Sequence, residues 1–277
     1  MEFFTFSKIS PTTTKIVDIT NTARYLVEGS KEALLIDTCT GAGDLKKAVE
    51  SLTDLPVTVV LTHGHVDHLG GAARFDKVYM SHKDLFMLPD NDVLWQKKNF
   101  TEFSNPRAKE LTDRDYCPTR TDEFLPLYDG MEFDLGGITI KAVAVPGHTP
   151  GMMCMLCKEE RWILFGDACN TAVFLFGDEA LTVEEYIENL SVLENVRDEY
   201  DTIILSHMPW TAKKTIVREV KELRQDIMDG KNDPEEFIFP VLPYTDLLRG
   251  AKVNPQMQRL DGKEGNIIYR QQKIFKK

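Results

Sequence analysis

Several things are missing from this sequence, and each absence closes a route. The first residues, Met1-Glu-Phe-Phe-Thr-Phe-Ser-Lys-Ile-Ser10, carry no basic stretch followed by an apolar run, so no secretory signal is expected and a cytoplasmic location is. No window approaches the roughly 20 apolar residues that cross a bilayer, and no membrane partner is expected. Positive charge is in deficit: 33 Lys and Arg face 44 Asp and Glu, for a net charge of −11. A phosphate-backbone partner needs a concentrated basic face, so no nucleic acid is expected either. Lys213-Lys214 and the tail from Lys273 to Lys277 read as solvated surface. Cysteine is scarce and odd in number, five in all, which without an export signal predicts reduced thiols. Cys154 and Cys157 form a C-x-x-C, but in a stretch that reads as a strand, where residues three apart face opposite sides. They are expected to be buried, small apolar residues. Repeats, low-complexity tracts and linkers are absent too, so residues 1–277 read as one domain.

Histidine is also scarce, six in all, and its placement carries the functional reading. An apolar, β-branched run from Val57 to Leu61 stops at His63-x-His65-x-Asp67-His68, with Gly70-Gly71 just beyond. A strand that ends in neutral imidazoles and a carboxylate offers the donors that zinc, iron or manganese accept.

Around this stretch the chain reads as alternating strands and helices. Strands are expected at 14–19, 23–28 and 33–37, then a helix at 44–52, a helix at 69–75, and a strand at 77–80. Ser81-x-x-Asp84 signals the cap of a further helix. Residues 86–128 scatter aromatics among Pro, Asn and charges and read as a mainly helical, irregular insertion, either a lid over a site or outside packing. Gly136-Gly137 joins strands 131–135 and 138–145 in a hairpin, and 152–157 with 161–165 forms another. Thr182-x-x-Glu185 caps a helix to Arg197 with Val183, Ile187, Leu190 and Leu193 inward. A strand at 202–205 and a helix at 211–228, stopped near Gly230, follow. The Pro-punctuated extension at 231–277 ends in a strand near 266–270.

Four of these strands end in a candidate ligand: the His63 motif, His148 in Pro146-Gly-His-Thr-Pro-Gly151, Asp167 after Phe165-Gly, and His207 after Leu205-Ser. In open α/β sheets the functional crevice lies beyond the carboxyl ends of the strands. Residues far apart in sequence can therefore converge there. Five of the six histidines hold such positions, and only His82 does not.

In this order the motifs resemble those of the metallo-β-lactamase-fold hydrolases, over roughly residues 14–210, and the filled set looks most like the glyoxalase II and lactonase branches. The resemblance implies an α/β fold, a four-layer αββα sandwich of two mixed sheets with the site in a groove at one edge. It implies two divalent metal ions, zinc first (Zn2+), with iron or manganese as other candidates. By position His63, His65 and His148 would hold one ion, Asp67, His68 and His207 the other, and Asp167 would bridge. Asp37, at the end of Leu34-Leu-Ile, would support the site from behind.

The expected chemistry is hydrolysis of an ester, thioester or lactone of a small metabolite by a hydroxide shared between two metals. Asp67 would be the catalytic residue, orienting the nucleophile or passing a proton to the leaving group. The small-molecule substrate is the one partner expected; oligomeric state is not legible. Cleavage of a small phosphodiester is the alternative. A non-catalytic metal-binding scaffold is the alternative of another class, which the filled ligand positions disfavour. Phe174-Leu-Phe176 and the aromatics of the insertion would wall a pocket or simply pack the core. Cys169 could face the site. Ala168-Cys-Asn-Thr171 stands where lactonases of acyl-homoserine lactones carry a Tyr, and glutathione-binding helices are not recognisable in 240–277.

Overall fold

The structure is a computed structural model that describes residues 1–242 and 244–276. One sheet runs in chain order as β1 (Phe4–Lys8), β2 (Thr13–Asp18), β3 (Ala23–Glu28), β4 (Ala33–Ile36), β5 (Val57–Val60), β6 (Val78–Met80) and β7 (Leu125–Pro126). Pairing is antiparallel as far as β4 and parallel beyond it. A second sheet begins with β8 (Glu132–Asp134), β9 (Thr139–Ala144), β10 (Met153–Cys157) and β11 (Trp162–Leu164). Next in the chain, β12 (Val173–Leu175) leaves it, and β13 (Thr202–Ile204) and β14 (Thr211–Ala212) complete it beside β11. The helices are α1 (Leu45–Glu50), α2 (Val66–Leu69), α3 (Leu88–Asn91), α4 (Leu94–Ser104), α5 (Val183–Asn195) and α6 (Ile216–Met228).

Strand alternation builds the layers. In β4, Leu34 and Ile36 meet the second sheet while Ala33 and Leu35 join the cluster that holds Leu45 and Val49 of α1. In β10, Met153, Met155 and Cys157 point between the sheets, and Cys154 and Leu156 pack with α5 and α6. Each strand thus feeds two cores, as a side-chain period of two requires, and the result is the αββα sandwich expected. Cys154 and Cys157 do lie on opposite faces, and all five cysteines are free and buried.

Several elements differ from expectation for identifiable reasons. Phe4–Lys8 forms an edge strand that the opening residues did not announce. The helix expected at 69–75 begins inside the histidine motif as α2 and breaks at Gly70-Gly71. There a Cβ would lie 2.5 Å from the Thr40 backbone at Gly70 and 2.3 Å from the Thr38 carbonyl at Gly71, so two loops touch through bare backbone. The helix expected from 211 starts at Ile216, because Thr211–Ala212 pairs with Ile203–Ile204 as β14. In α5 it is Tyr186, not Ile187, that is fully buried beside Leu190 and Leu193.

The C-terminal segment supplies β15 (Glu235–Glu236), β16 (Leu247–Arg249) and β17 (Ile267–Arg270), which form a third sheet with β12. β17 pairs parallel with β12, so the extension is built onto the stretch just after Asp167. Among the described residues, no helix is long and apolar enough to cross a membrane.

Candidate metal centre

His63, His65, Asp67 and His68 lie at the end of β5 and the start of α2, His148 beyond β9, Asp167 beyond β11 and His207 beyond β13. The structure brings all seven together. Three sets of donor atoms each lie within 4.8 Å of one another: His63, His65 and His148; His63, His68 and Asp167; and Asp67, His68 and His207. Asp167 Oδ2 sits centrally, 3.8 Å from His63 Nε2, 3.5 Å from His68 Nε2, 3.6 Å from His148 Nε2 and 3.4 Å from His207 Nε2. Asp67 Oδ2 lies 3.5 Å from His68 Nε2 and 3.4 Å from His207 Nε2. His207 is the open member, with its side chain 36% accessible.

The outward nitrogens fix which nitrogen of each ring faces inward. His63 Nδ1 meets Thr62 Oγ1 at 3.0 Å, His68 Nδ1 meets Asp37 Oδ2 at 2.8 Å, and His148 Nδ1 donates to the Phe174 carbonyl at 2.9 Å. His65 is turned the other way, with Nε2 3.2 Å from Glu179 Oε1 and Nδ1 2.8 Å from His148 Nε2. Such partners fix tautomer and ring orientation. Among the described residues, they leave His63 Nε2 and His68 Nε2 buried with no hydrogen-bond partner. Buried, unpartnered polar atoms are costly, and several aimed at one gap are what a cation satisfies. The donor set therefore fits divalent metal.

Electrostatics divide the imidazoles: burial opposes charge on all five, but in His65, His68 and His207 the facing carboxylates outweigh it and raise the pKa. Burial holds the His148 imidazole down at about 4 and His63 well below its ordinary value, so both are neutral donors. Burial opposes charge on Asp67 and Asp167 too, but His68 and His207 outweigh it and keep both carboxylates ionised. Asp37 sits at a positive φ of 68°, a region that Asp tolerates better than most residues. It takes the Thr62 N–H at 2.7 Å besides His68.

Some contributors carried no readable signal. Glu179 lies in an irregular turn after β12, and only the fold places it on His65. Asp84 stood out only as a capping signal; Ser81 does cap the following 3-10 turn, but the Asp84 carboxylate turns inward. It accepts from Gly64 N at 3.0 Å, Gly151 N at 2.6 Å and Thr149 Oγ1 at 2.8 Å, tying together the loops of His63–His65 and His148. Cys169 does not face the site: it is wholly buried in the core beneath α5 and α6. His82 stays apart, bonded to the Phe124 carbonyl.

Beside the cluster opens a cleft of about 1730 Å³, lined by the insertion (Phe86, Trp95, Phe100), by Phe174 and Phe176, and by the C-terminal segment (Phe239, Tyr244). The stretch 86–128 is short helices and 3-10 turns around α4, as expected, and part of it forms one wall.

Comparison with known proteins follows the same lines. The family model described as "Metallo-beta-lactamase superfamily" matches residues 20–207. The human protein named Acyl-coenzyme A thioesterase MBLAC2 is 29% identical over 162 residues, 52% of this chain and 56% of that protein. An Atrochrysone carboxyl ACP thioesterase of Aspergillus fumigatus is 25% identical over 229 residues, 79% of this chain and 63% of that one. The chain thus spans under two thirds of the length of these relatives. Among solved structures, a metallo-beta-lactamase from Pontibacter korlensis superposes with a TM-score of 0.58 at 17% identity, covering 80% of this chain and 99% of that one. This last likeness speaks for the fold alone.

Proposed function

The chain belongs to the metallo-beta-lactamase superfamily, and from that premise we propose that it is a dinuclear metal-dependent hydrolase of acyl thioesters. One observation carries the reading: two neighbouring donor sets, His63–His65–His148 and Asp67–His68–His207, with Asp167 set between them. His63, His65 and His148 would hold one ion, Asp67, His68 and His207 the other, and Asp167 both. Zinc suits imidazole and carboxylate donors. Two such ions, when bound, bring water toward its deprotonated form near neutral pH and polarise a carbonyl.

The chain's own residues do the rest. Asp37, Thr62, Glu179 and the Phe174 carbonyl hold four imidazoles with one nitrogen inward. Asp67, whose Oδ2 lies between His68 and His207, would orient the attacking water and take its proton. In the reaction, water oxygen bonds to the acyl carbon, the C–S bond breaks, and sulfur leaves with the electron pair. A thiol with a pKa near 8.5 leaves largely as thiolate, so little acid assistance is asked of Asp67. Thioesters are preferred on that ground, and because the named relatives are thioesterases.

The test is hydrolysis of a panel of thioesters, oxygen esters, lactones and bis(p-nitrophenyl) phosphate by zinc-, iron- and manganese-loaded protein, with Asp67→Ala as the blank. Thioester turnover that falls at least 100-fold in Asp67→Ala is expected. Turnover of the phosphodiester alone, or fewer than about one metal per chain after loading, would refute the reading.

A further inference from the structure

The cleft beside the metal centre pairs exposed apolar side chains with cations that are already engaged. Phe86 and Trp95 stand 60% and 62% accessible on the insertion side, and Met208 and Met257 stand 63% and 58% accessible on the others. Large apolar side chains gathered around one opening mark a binding surface. The aromatic wall is continuous with the centre. The His148 ring lies 6.4 Å from Phe174, Phe174 lies 5.3 Å from Phe239, and Phe239 lies 5.4 Å from Phe103 of α4. The C-terminal segment and the insertion are therefore joined by a run of aromatic contacts that begins at a candidate ligand.

Among the described residues, four Lys and Arg side chains line the cleft and each has a carboxylate partner, Arg249 and Arg259 buried against theirs and Lys213 and Lys263 in exposed surface pairs. Lys213 meets Glu264 at 3.0 Å, Arg249 meets Glu235 at 2.6 Å, Lys263 meets Glu222 at 2.9 Å, and Arg259 is paired with Asp261. Asp90, Asp178 and Glu179 also line it. A nucleotide or phosphodiester is recognised by converging, available cations. A cleft whose buried cations are paired, whose carboxylates repel phosphate, and whose exposed apolar side chains are Phe86, Trp95, Met208 and Met257 offers its affinity to apolar groups instead.

Resting on the thioesterase reading, we infer that this cleft is an acyl-binding site: it selects thioesters whose acyl group is long or bulky and apolar, and it recognises the acyl group and not a phosphate-bearing carrier. The thioester carbonyl lies at the Phe174 end, against the metal centre. The acyl chain runs along Phe174, Phe239 and Trp95, and the thiol arm projects to solvent.

The experiment uses zinc-loaded protein and four probes: S-acetyl- and S-decanoyl-N-acetylcysteamine, decanoyl-coenzyme A, and the non-hydrolysable thioether S-decyl-N-acetylcysteamine. Each methylene buried multiplies binding by roughly fourfold at most, and an open cleft returns a fraction of that. The kcat/KM for decanoyl over acetyl N-acetylcysteamine is therefore expected to rise on the order of 100-fold. Decanoyl-coenzyme A should lie within about threefold of decanoyl-N-acetylcysteamine. In Trp95→Ala and Phe239→Ala the decanoyl-to-acetyl ratio should fall about tenfold, with circular dichroism reporting that each variant is folded. The thioether should shift the fluorescence of the wild type, and the shift should be lost in Trp95→Phe. Thioester turnover without a chain-length preference, or a coenzyme A thioester preferred by 30-fold or more, overturns the acyl site and leaves the hydrolase reading standing. Thioether binding without turnover of any thioester does the reverse.

Discussion

Replacing Asp84 with alanine asks how the two histidine-bearing loops are held in register. Its carboxylate is wholly buried and accepts from the Gly64 and Gly151 backbones and from Thr149 Oγ1, at 3.0, 2.6 and 2.8 Å. Gly64 sits between His63 and His65, and Gly151 lies three residues past His148. Hydrogen bonds to a charged acceptor contribute about 1.5–3 kcal/mol each, so three amount to roughly 4.5–9 kcal/mol gross. Burial works the other way, pushing the Asp84 carboxyl up despite these donors, so part of the gain is already offset. Asp84→Ala also leaves two amides and a hydroxyl buried without an acceptor. A net loss of about 3–5 kcal/mol is expected, the range for breaking a buried charged network. Asp84→Asn, which keeps one oxygen acceptor, should lose less. The assay is urea unfolding of the metal-free protein, paired with zinc affinity by chelator competition. Zinc should bind more weakly in Asp84→Ala, because His65 Nδ1 and His148 Nε2, now 2.8 Å apart, would lose their common anchor. A loss below about 1 kcal/mol with unchanged zinc affinity would refute the reasoning.

Other outcomes follow from the same geometry. Glu179→Gln, which weakens the bond that turns His65 Nδ1 inward, should reduce metal affinity about 10- to 100-fold, measured by the same competition; an unchanged affinity would mean that packing alone orients the ring. Burial opposes charge on Glu160, but bonds from Ser10, Trp162, Thr12 and Thr13 outweigh it and hold its pKa at about 2 against an ordinary 4.5. Its stabilisation is therefore full above about pH 4.5 and lost as pH falls toward 2, so the stability gap between wild type and Glu160→Gln should narrow between pH 6 and pH 3 in denaturant titrations. Burial pushes the Cys39 and Cys157 thiols up to about 12 and about 11, and all five cysteines are inside. A thiol reagent such as 5,5′-dithiobis(2-nitrobenzoic acid) should label fewer than one cysteine in the native protein at pH 8 and five after unfolding. Prompt labelling of Cys169 in the folded protein would contradict its placement in the core.

The amino-acid sequence alone determined the layers and the candidate ligands of this protein. A period of two in runs such as Ala33–Ile36 and Met153–Cys157 is a local property, and it dictates which faces are apolar and so how sheets and helices stack. His63, His65, Asp67, His68, His148, Asp167 and His207 were legible because each ends such a run, and strand ends converge in this architecture. What only the tertiary structure decided are contacts between segments with no local signature. Glu179 reaches His65 across 114 positions, and Asp84 reaches Gly151 across 67. The C-terminal β17 lies beside β12, and other residues of the C-terminal segment line the aromatic cleft together with the insertion around Trp95. Side-chain periodicity reports which face of an element is buried; it carries no information about which distant loop covers that face. The candidate metal donors of this chain are therefore written in its strands, whereas the walls of the cleft beside them come from segments whose positions depend on the whole fold.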